Sequence, residues 1–259
     1  MEIKERINCL QKLMKENDIQ AYIIPTDDFH SSEYVGDYFK CREYMSGFTG
    51  SAGTLVVLEE RAYLWTDGRY FLQADKQLEK TGIVLMKLGQ PHVPIIEKFL
   101  KRELKEGDTI GFDGRTISKN FADKLLERIK EKNIKINGTV DLVNIIWKNR
   151  PEISKEQVWQ LDIKYAGISR KEKMKKIREK MKEAGADVFI DAALDEIAWL
   201  LNLRGNDIAY TPVFLSYMII REDRAILCIH REVISEKIED ELKEDGIAIA
   251  EYEEIYKLA

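Results

Sequence analysis

The side chains best equipped for chemistry in this chain are few, and most stand at turns. In Trp65-Thr66-Asp67-Gly68-Arg69-Tyr70-Phe71, an apolar run reads as a strand up to Thr66 and a helix begins near Tyr70, so Arg69 occupies a strand-to-helix junction. A planar guanidinium held on a rigid edge can address a carboxylate or a peptide carbonyl. Such a charge-assisted contact is worth ~1.5–3 kcal/mol once water is excluded. The same spacing suits a salt bridge from Arg69 to Asp67 or Asp75, and the sequence leaves both roles open.

Other candidates are weaker. The turn Gly47-Phe48-Thr49-Gly50-Ser51-Ala52-Gly53 offers consecutive backbone N–H groups to an anion. No lysine or helix start follows in phosphate-binding position, so glycines that permit a tight turn are the simpler account. Asp27-Asp28-Phe29-His30 with Glu33 holds oxygen and nitrogen ligand types, but a polar turn capping a helix is the simpler account. Asp195 and Glu196 are adjacent, diverge by about 100° on a helix, and offset the dipole of a first turn rather than share a site. His92, between Pro91 and Val93, and His230, at a strand end, read as structural or solvated. Arg204 follows a helix end, where a cation is favourable without any ligand. Trp199, with Ile197, Leu200 and Leu201, reads as the core face of a buried helix. HExxH, Walker A, GxSxG and strand-linked GxGxxG motifs are all absent.

The elements that position these residues form two similar sets. Ile3, Ile7, Leu10, Leu13 and Met14 mark an amphipathic helix, followed by the strand Ala21-Tyr22-Ile23-Ile24. A hairpin turns at Glu59-Glu60-Arg61, and strands and helices then alternate to about residue 147. Pro94 opens a helix over 95–104, and Ser118 caps one running to about Lys132. Residues 148–169 lack sustained periodicity and read as a linker. A second helix with Met174, Ile177 and Met181 on one face leads into Asp187-Val188-Phe189-Ile190, and another hairpin turns at Glu222-Asp223-Arg224. The expected organisation is therefore a first α/β domain over 1–147, a linker over 148–169 and a related α/β domain over 170–259. Each would be a mixed sheet flanked by helices.

Composition narrows the function. The 259 residues are 44% hydrophobic and 34% charged, as in a charge-rich globular protein. The net charge of -5 comes from interleaved lysines and glutamates, with no basic stripe for nucleic acid. No apolar run is long enough to span a bilayer, and the charged N-terminus has no signal-peptide core. Cys9, Cys41 and Cys228 lie far apart and form no CxxC pair, which fits free thiols in a reducing cytoplasm.

Three stretches carry a family resemblance. They are Tyr44 to Thr54, Trp65 to Gln73 and Leu194 to Gly205, supported by Gln20 to Pro25 and Pro212 to Tyr217. In this order they resemble the N-terminal half of the three-domain Xaa-Pro aminopeptidases, metallopeptidases of the creatinase/prolidase type. The resemblance implies two tandem creatinase N-terminal-like domains and a parent enzyme that removes the residue preceding proline from peptides. Two divalent metal ions, manganese by family habit, would sit in a C-terminal catalytic domain outside this chain. The second domain would be cut short at its end, and the 259 residues would be inactive alone. The partners implied are a peptide with proline at its second position, the protein's own catalytic domain and, as an open question, a second copy in a homodimer. The arginine of the family's Thr-Asp-Gly-Arg-Tyr motif reaches substrate and falls on Arg69. A non-catalytic peptide- or protein-binding module on the same scaffold is the competing reading.

Overall fold

Ile7, Leu10 and Met14 recur at helical spacing and are buried, and α1 (Ile3–Glu16) forms around that stripe. It starts at a capping box in which Glu2 and Glu5 answer each other's backbone N–H groups. The computed structural model describes residues 1–259. These divide into two units, Met1–Glu152 and Ile153–Ala259.

In the first unit α1 is followed by β1 (Ala21–Pro25), α2 (Cys41–Ser46), β2 (Thr54–Leu58), β3 (Ala62–Thr66), α3 (Phe71–Gln77) and β4 (Ile83–Lys87). Then come α4 (Ile96–Glu103), β5 (Thr109–Gly111), α5 (Lys119–Ile129), β6 (Lys135–Asn137) and α6 (Leu142–Ile146). The strands form one sheet in the order β4-β3-β2-β1-β5-β6. Only β2 runs against the others, so β1, β3 and β5 end at the same edge. Alternate side chains of the central strands enter opposite cores. Tyr22, Ile24, Leu55 and Leu64 pack with α1, α2 and α6, whereas Ala21, Ile23, Val56 and Trp65 pack with α4 and α5. Burial on both faces accounts for the unbroken apolar run of β1.

One sequence expectation shifts here. Ile95, in extended conformation, is the N-cap of α4, so Pro94 lies outside the helix instead of opening it. The Pro94 carbonyl instead accepts a bond from the Trp65 indole at 2.9 Å. Ser118 does cap α5, accepting from the Phe121 N–H.

The second unit contains β7 (Trp159–Gln160), α7 (Ile163–Ala166), α8 (Arg170–Ala184), β8 (Val188–Asp191), α9 (Leu194–Leu201) and β9 (Leu203–Arg204). It continues with β10 (Ser216–Arg221), β11 (Ala225–Ile229), α10 (Glu236–Glu244), β12 (Ile247–Ala250) and α11 (Ile255–Leu258). Its main sheet has the order β12-β11-β10-β8, and β7 pairs separately with β9. The weakly periodic stretch 148–169 is thus divided, its later part supplying β7 and α7 to the second unit.

Register makes the internal duplication concrete. Tyr22↔Val57 and Leu55↔Leu64 of the first sheet correspond to Phe189↔Ile220 and Met218↔Leu227 of the second. In both, the next strand is added parallel, Ala62↔Ile83 and Ala225↔Ile247. The chain is α/β, with two tandem related domains built on mixed sheets.

Candidate functional site

In open α/β sheets, ligands gather beyond the carboxyl ends of the parallel strands. At that edge of the first unit lie the continuations of β1, β3 and β5, namely Thr26 to His30, Asp67 to Tyr70, and Asp113 to Thr116. Two of these continuations are Asp-Gly-Arg, and both fold identically. Asp67 Oδ1 accepts from the Arg69 backbone N–H at 3.0 Å and from Nε at 2.9 Å, while Oδ2 accepts from Nη2 at 2.9 Å. Asp113 repeats this with Arg115 at 3.1, 3.0 and 2.9 Å. The aspartate caps one turn of 3₁₀ helix and fixes its arginine at the same time.

The surroundings of the two arginines differ. Arg69 is 66% exposed, 5.2 Å from the Tyr70 ring centroid, with Glu33 in its electrostatic neighbourhood. Asp75, its other candidate partner, binds Lys87 at 2.6 Å. Because Nε and Nη2 are engaged by Asp67, the Nη1 edge of the fork points away from that pair. Arg115 instead lies over the ring of Phe29 at 4.4 Å, and Phe29 meets Phe39 and Tyr38 edge-on.

The Asp27–Glu33 turn is wired internally. Asp28, 1% exposed, accepts from the His30 and Ser32 N–H groups at 2.8 and 3.0 Å through Oδ1. Burial pushes the Asp27 carboxyl up to about 6. It borders a cavity of about 20 Å³, together with Asp113, Asp141, Arg150 and Cys41. That volume has room for one water. Burial also pushes the Cys41 thiol up to about 12, leaving it a poor nucleophile.

Sequence reasoning passed over Arg42. It is 3% exposed and lies 4.8 Å from the Phe48 ring centroid. It donates to Thr26 Oγ1 at 2.9 Å and to the carbonyls of Phe48 and Gly50. Burial lowers its pKa to about 10. The glycine turn therefore directs carbonyls at a buried cation. Its Phe48 and Thr49 N–H groups are occupied by Ser46 and Gln77, so they do not form an anion cradle. Gly50 is required for close packing, since a Cβ there would lie 2.2 Å from Phe48 and 2.8 Å from Tyr70.

Of the remaining candidates, Asp195 and Glu196 stand on the exposed first turn of α9. Arg204 donates to the Ala198 carbonyl at 2.7 Å, as a cation at a helix C-terminus should. Lys173, 2% exposed, donates to the Trp199 carbonyl and to Asn202 Oδ1, both at 2.6 Å. Trp199 itself is 51% exposed, which corrects its reading as core. His92 lies in a turn at positive φ, and His230 stacks on Tyr252 at 4.8 Å. No group of three or more His, Cys, Asp or Glu side chains is arranged to hold a metal ion. No helix is long and apolar enough to cross a membrane.

Two duplicated mixed sheets, with the Thr-Asp-Gly-Arg-Tyr corner at the strand ends of the first, define a recognised class. Residues 6–146 and 149–259 each match the Creatinase/Prolidase N-terminal domain, and the chain belongs to that family. Among particular proteins, it is 40% identical to Xaa-Pro aminopeptidase 1 of Dictyostelium discoideum, over 98% of this chain and 42% of that protein. It is also 40% identical to aminopeptidase P2 of Arabidopsis thaliana, over 98% of this chain and 36% of that one. The crystal structure of an X-prolyl aminopeptidase from Caenorhabditis elegans, described as a cytosolic enzyme with a di-nuclear active site, superposes with a TM-score of 0.95. The identity there is 34%, over 100% of this chain and 44% of that one. The chain thus spans only about two fifths of the length of these relatives.

Proposed function

We propose that these residues are the non-catalytic N-terminal region of a Xaa-Pro aminopeptidase, serving substrate access, substrate binding and assembly with a C-terminal catalytic domain. The observation that carries this is the continuous similarity to such enzymes along 98% of the chain, in a segment that holds no metal-ligand cluster of its own. Two divalent metal ions in the catalytic domain, manganese in our reading, would activate the attacking water and polarise the scissile carbonyl. The contribution of this chain is positional. Arg69 is held by Asp67 through three bonds and keeps one edge of its fork for a peptide carbonyl or carboxylate. Fixing that donor beforehand reduces the entropy lost when the peptide docks. The working compartment proposed is the cytoplasm, as in the C. elegans relative.

The test is hydrolysis of a short Xaa-Pro peptide with added manganese by this chain and by the longer gene product. The expected outcome is activity in the longer protein alone. In that protein Arg69→Ala should raise KM and lower kcat/KM. Unchanged values would remove Arg69 from the site, and inactivity of both proteins would favour the binding-module reading.

A further inference from the structure

The glycine turn, which forms no anion cradle, holds the Arg69 corner from outside. Thr66 and Tyr70 flank Asp67-Gly68-Arg69 in the chain. The buried Thr66 hydroxyl donates to the Ala52 carbonyl at 2.6 Å. The Tyr70 and Ser51 hydroxyls share a hydrogen bond of 2.6 Å. Two consecutive residues of the turn thus grip both ends of the corner. The Tyr70 ring meets Phe48 edge-on at 5.9 Å, and the Arg69 guanidinium carbon lies 5.2 Å from its centroid. The start of α3 is fastened to the same turn, since Thr49 Oγ1 accepts from the Gln73 and Gln77 side-chain amides, both at 2.9 Å.

The turn is itself anchored in the sheet. Arg42 holds the Phe48 and Gly50 carbonyls, and bonds from a charged donor are the stronger kind. The Gly53 carbonyl accepts from the Thr26 N–H at 2.9 Å and from its hydroxyl at 3.0 Å. A Cβ on Gly53 would lie 3.0 Å from the Trp65 carbonyl oxygen, so glycine is what lets the turn approach the end of β3 this closely. The Asp113 corner is braced differently. Thr116, which stands where Tyr70 stands in the first corner, turns its hydroxyl back to the Asp113 carbonyl at 3.0 Å.

Asp67 fixes the guanidinium relative to its own corner, and the turn fixes the corner relative to the sheet. A donor that must meet a peptide at one place needs both. On the reading that Arg69 meets substrate, we propose that Tyr70, Ser51 and Thr66 are positioning residues for it. The glycine turn, anchored on Arg42, is the brace through which they act.

The brace is tested first in the 259-residue chain, by hydrogen exchange of the Arg69 Nε–H followed by NMR. Tyr70→Phe and Ser51→Ala remove the same bond, so each should speed that exchange several-fold, and the double variant should exchange no faster than either alone. Exchange unchanged from the parent would show that Asp67 alone fixes the guanidinium, and would overturn the proposal. In the longer protein these variants and Thr66→Val should raise KM for a Xaa-Pro peptide and lower kcat/KM roughly threefold to tenfold, the worth of one hydrogen bond, with kcat little changed. In an Arg69→Ala background they should have no further effect. A loss of equal size in that background would mean that they act on the structure generally, and would overturn the positioning role. Faster exchange together with a silent Arg69→Ala would support the brace and overturn only the substrate contact proposed for Arg69.

Discussion

The corners Asp67-Gly68-Arg69 and Asp113-Gly114-Arg115 use the same three residues and the same three bonds, yet they do different work. At the end of β5, Gly114 donates its N–H to the Gly138 carbonyl at 2.9 Å and Arg115 packs on Phe29, so that corner is a joint between the strand ends. At the end of β3, no atom comes closer than 3.9 Å to where a Gly68 Cβ would be, and the arginine faces solvent. A sequence motif therefore sets local wiring, and the surroundings decide whether the wired side chain is used internally or left for a ligand. An arginine immobilised by its own aspartate but not buried is what a recognition site needs. Its Coulomb partner costs little to keep, and its free donors remain unspent.

The glycines of the two corners should break this comparison most sharply. A Cβ on Gly114 would sit 2.6 Å from the Gly138 carbonyl oxygen, a backbone atom that cannot swing aside. Gly114→Ala is expected to destabilise the first unit by about 2 kcal/mol, the net of overpacking and a smaller gain from a stiffer unfolded chain. Gly68→Ala meets only ordinary contact with Phe71, and its stability should stay level or rise by up to ~0.5 kcal/mol. Urea melts of the two variants check the signs. Equal losses would mean that the corners are structurally equivalent after all.

Much of this architecture is legible in the sequence because local signals and burial agree. The apolar runs of β1, β2 and β3, the two hairpins and the Ser118 cap follow from alternation, turn residues and capping chemistry. The insertion of β5 beside β1 is not legible, because pairing between strands nearly ninety residues apart leaves no local trace. At the candidate site, Arg69 can be picked out from its junction, and the second Asp-Gly-Arg is in plain view as a tripeptide. Arg42 and Lys173 cannot be found in this way. Each occupies a position where helix periodicity tolerates any long side chain, and only the fold reveals that their charges meet buried carbonyls. Trp199 misleads for the opposite reason. Its position has a core pattern, yet its ring stands half exposed beside the groove between α8 and α9.

Between the two corners stands Asp27, which sharpens the comparison through pH. Its carboxyl has an ordinary value near 3.8 and is raised by burial to about 6, whereas Asp67 is held below its usual range chiefly by its bond from Arg69. For a raised carboxyl the unfolded chain loses its proton first. Between about pH 4 and pH 6 the unfolded state therefore binds fewer protons, and stability falls as pH rises. Asp27→Asn can still accept the Asp28 N–H bond and has no charge to desolvate. It should match the parent near pH 4 and exceed it by about 1–2 kcal/mol at pH 7, a figure discounted for the part of Asp27 that water still reaches. A stability difference that stays flat across denaturation curves from pH 4 to pH 7 would show that Asp27 ionises as freely as an exposed carboxylate.

The smallest effect separates the arginines themselves. Arg115→Ala removes a half-buried cation from the face of Phe29 and should cost about 1 kcal/mol, most of it packing and cation–π attraction, since a partly solvated ion pair contributes little. Arg69→Ala removes a solvated side chain that hydrogen-bonds the neighbouring Asp67, and it should leave Tm unmoved. In the longer protein the order reverses. Arg69→Ala should reduce kcat/KM toward Xaa-Pro peptides, and Arg115→Ala should leave it near the parent's value at temperatures where the fold holds. Measuring both variants for both properties gives a crossed pattern that a general loss of structure cannot imitate. If Arg115→Ala cost as much activity as Arg69→Ala, the whole strand-end edge would be engaged by substrate, and burial would no longer distinguish the joint from the site.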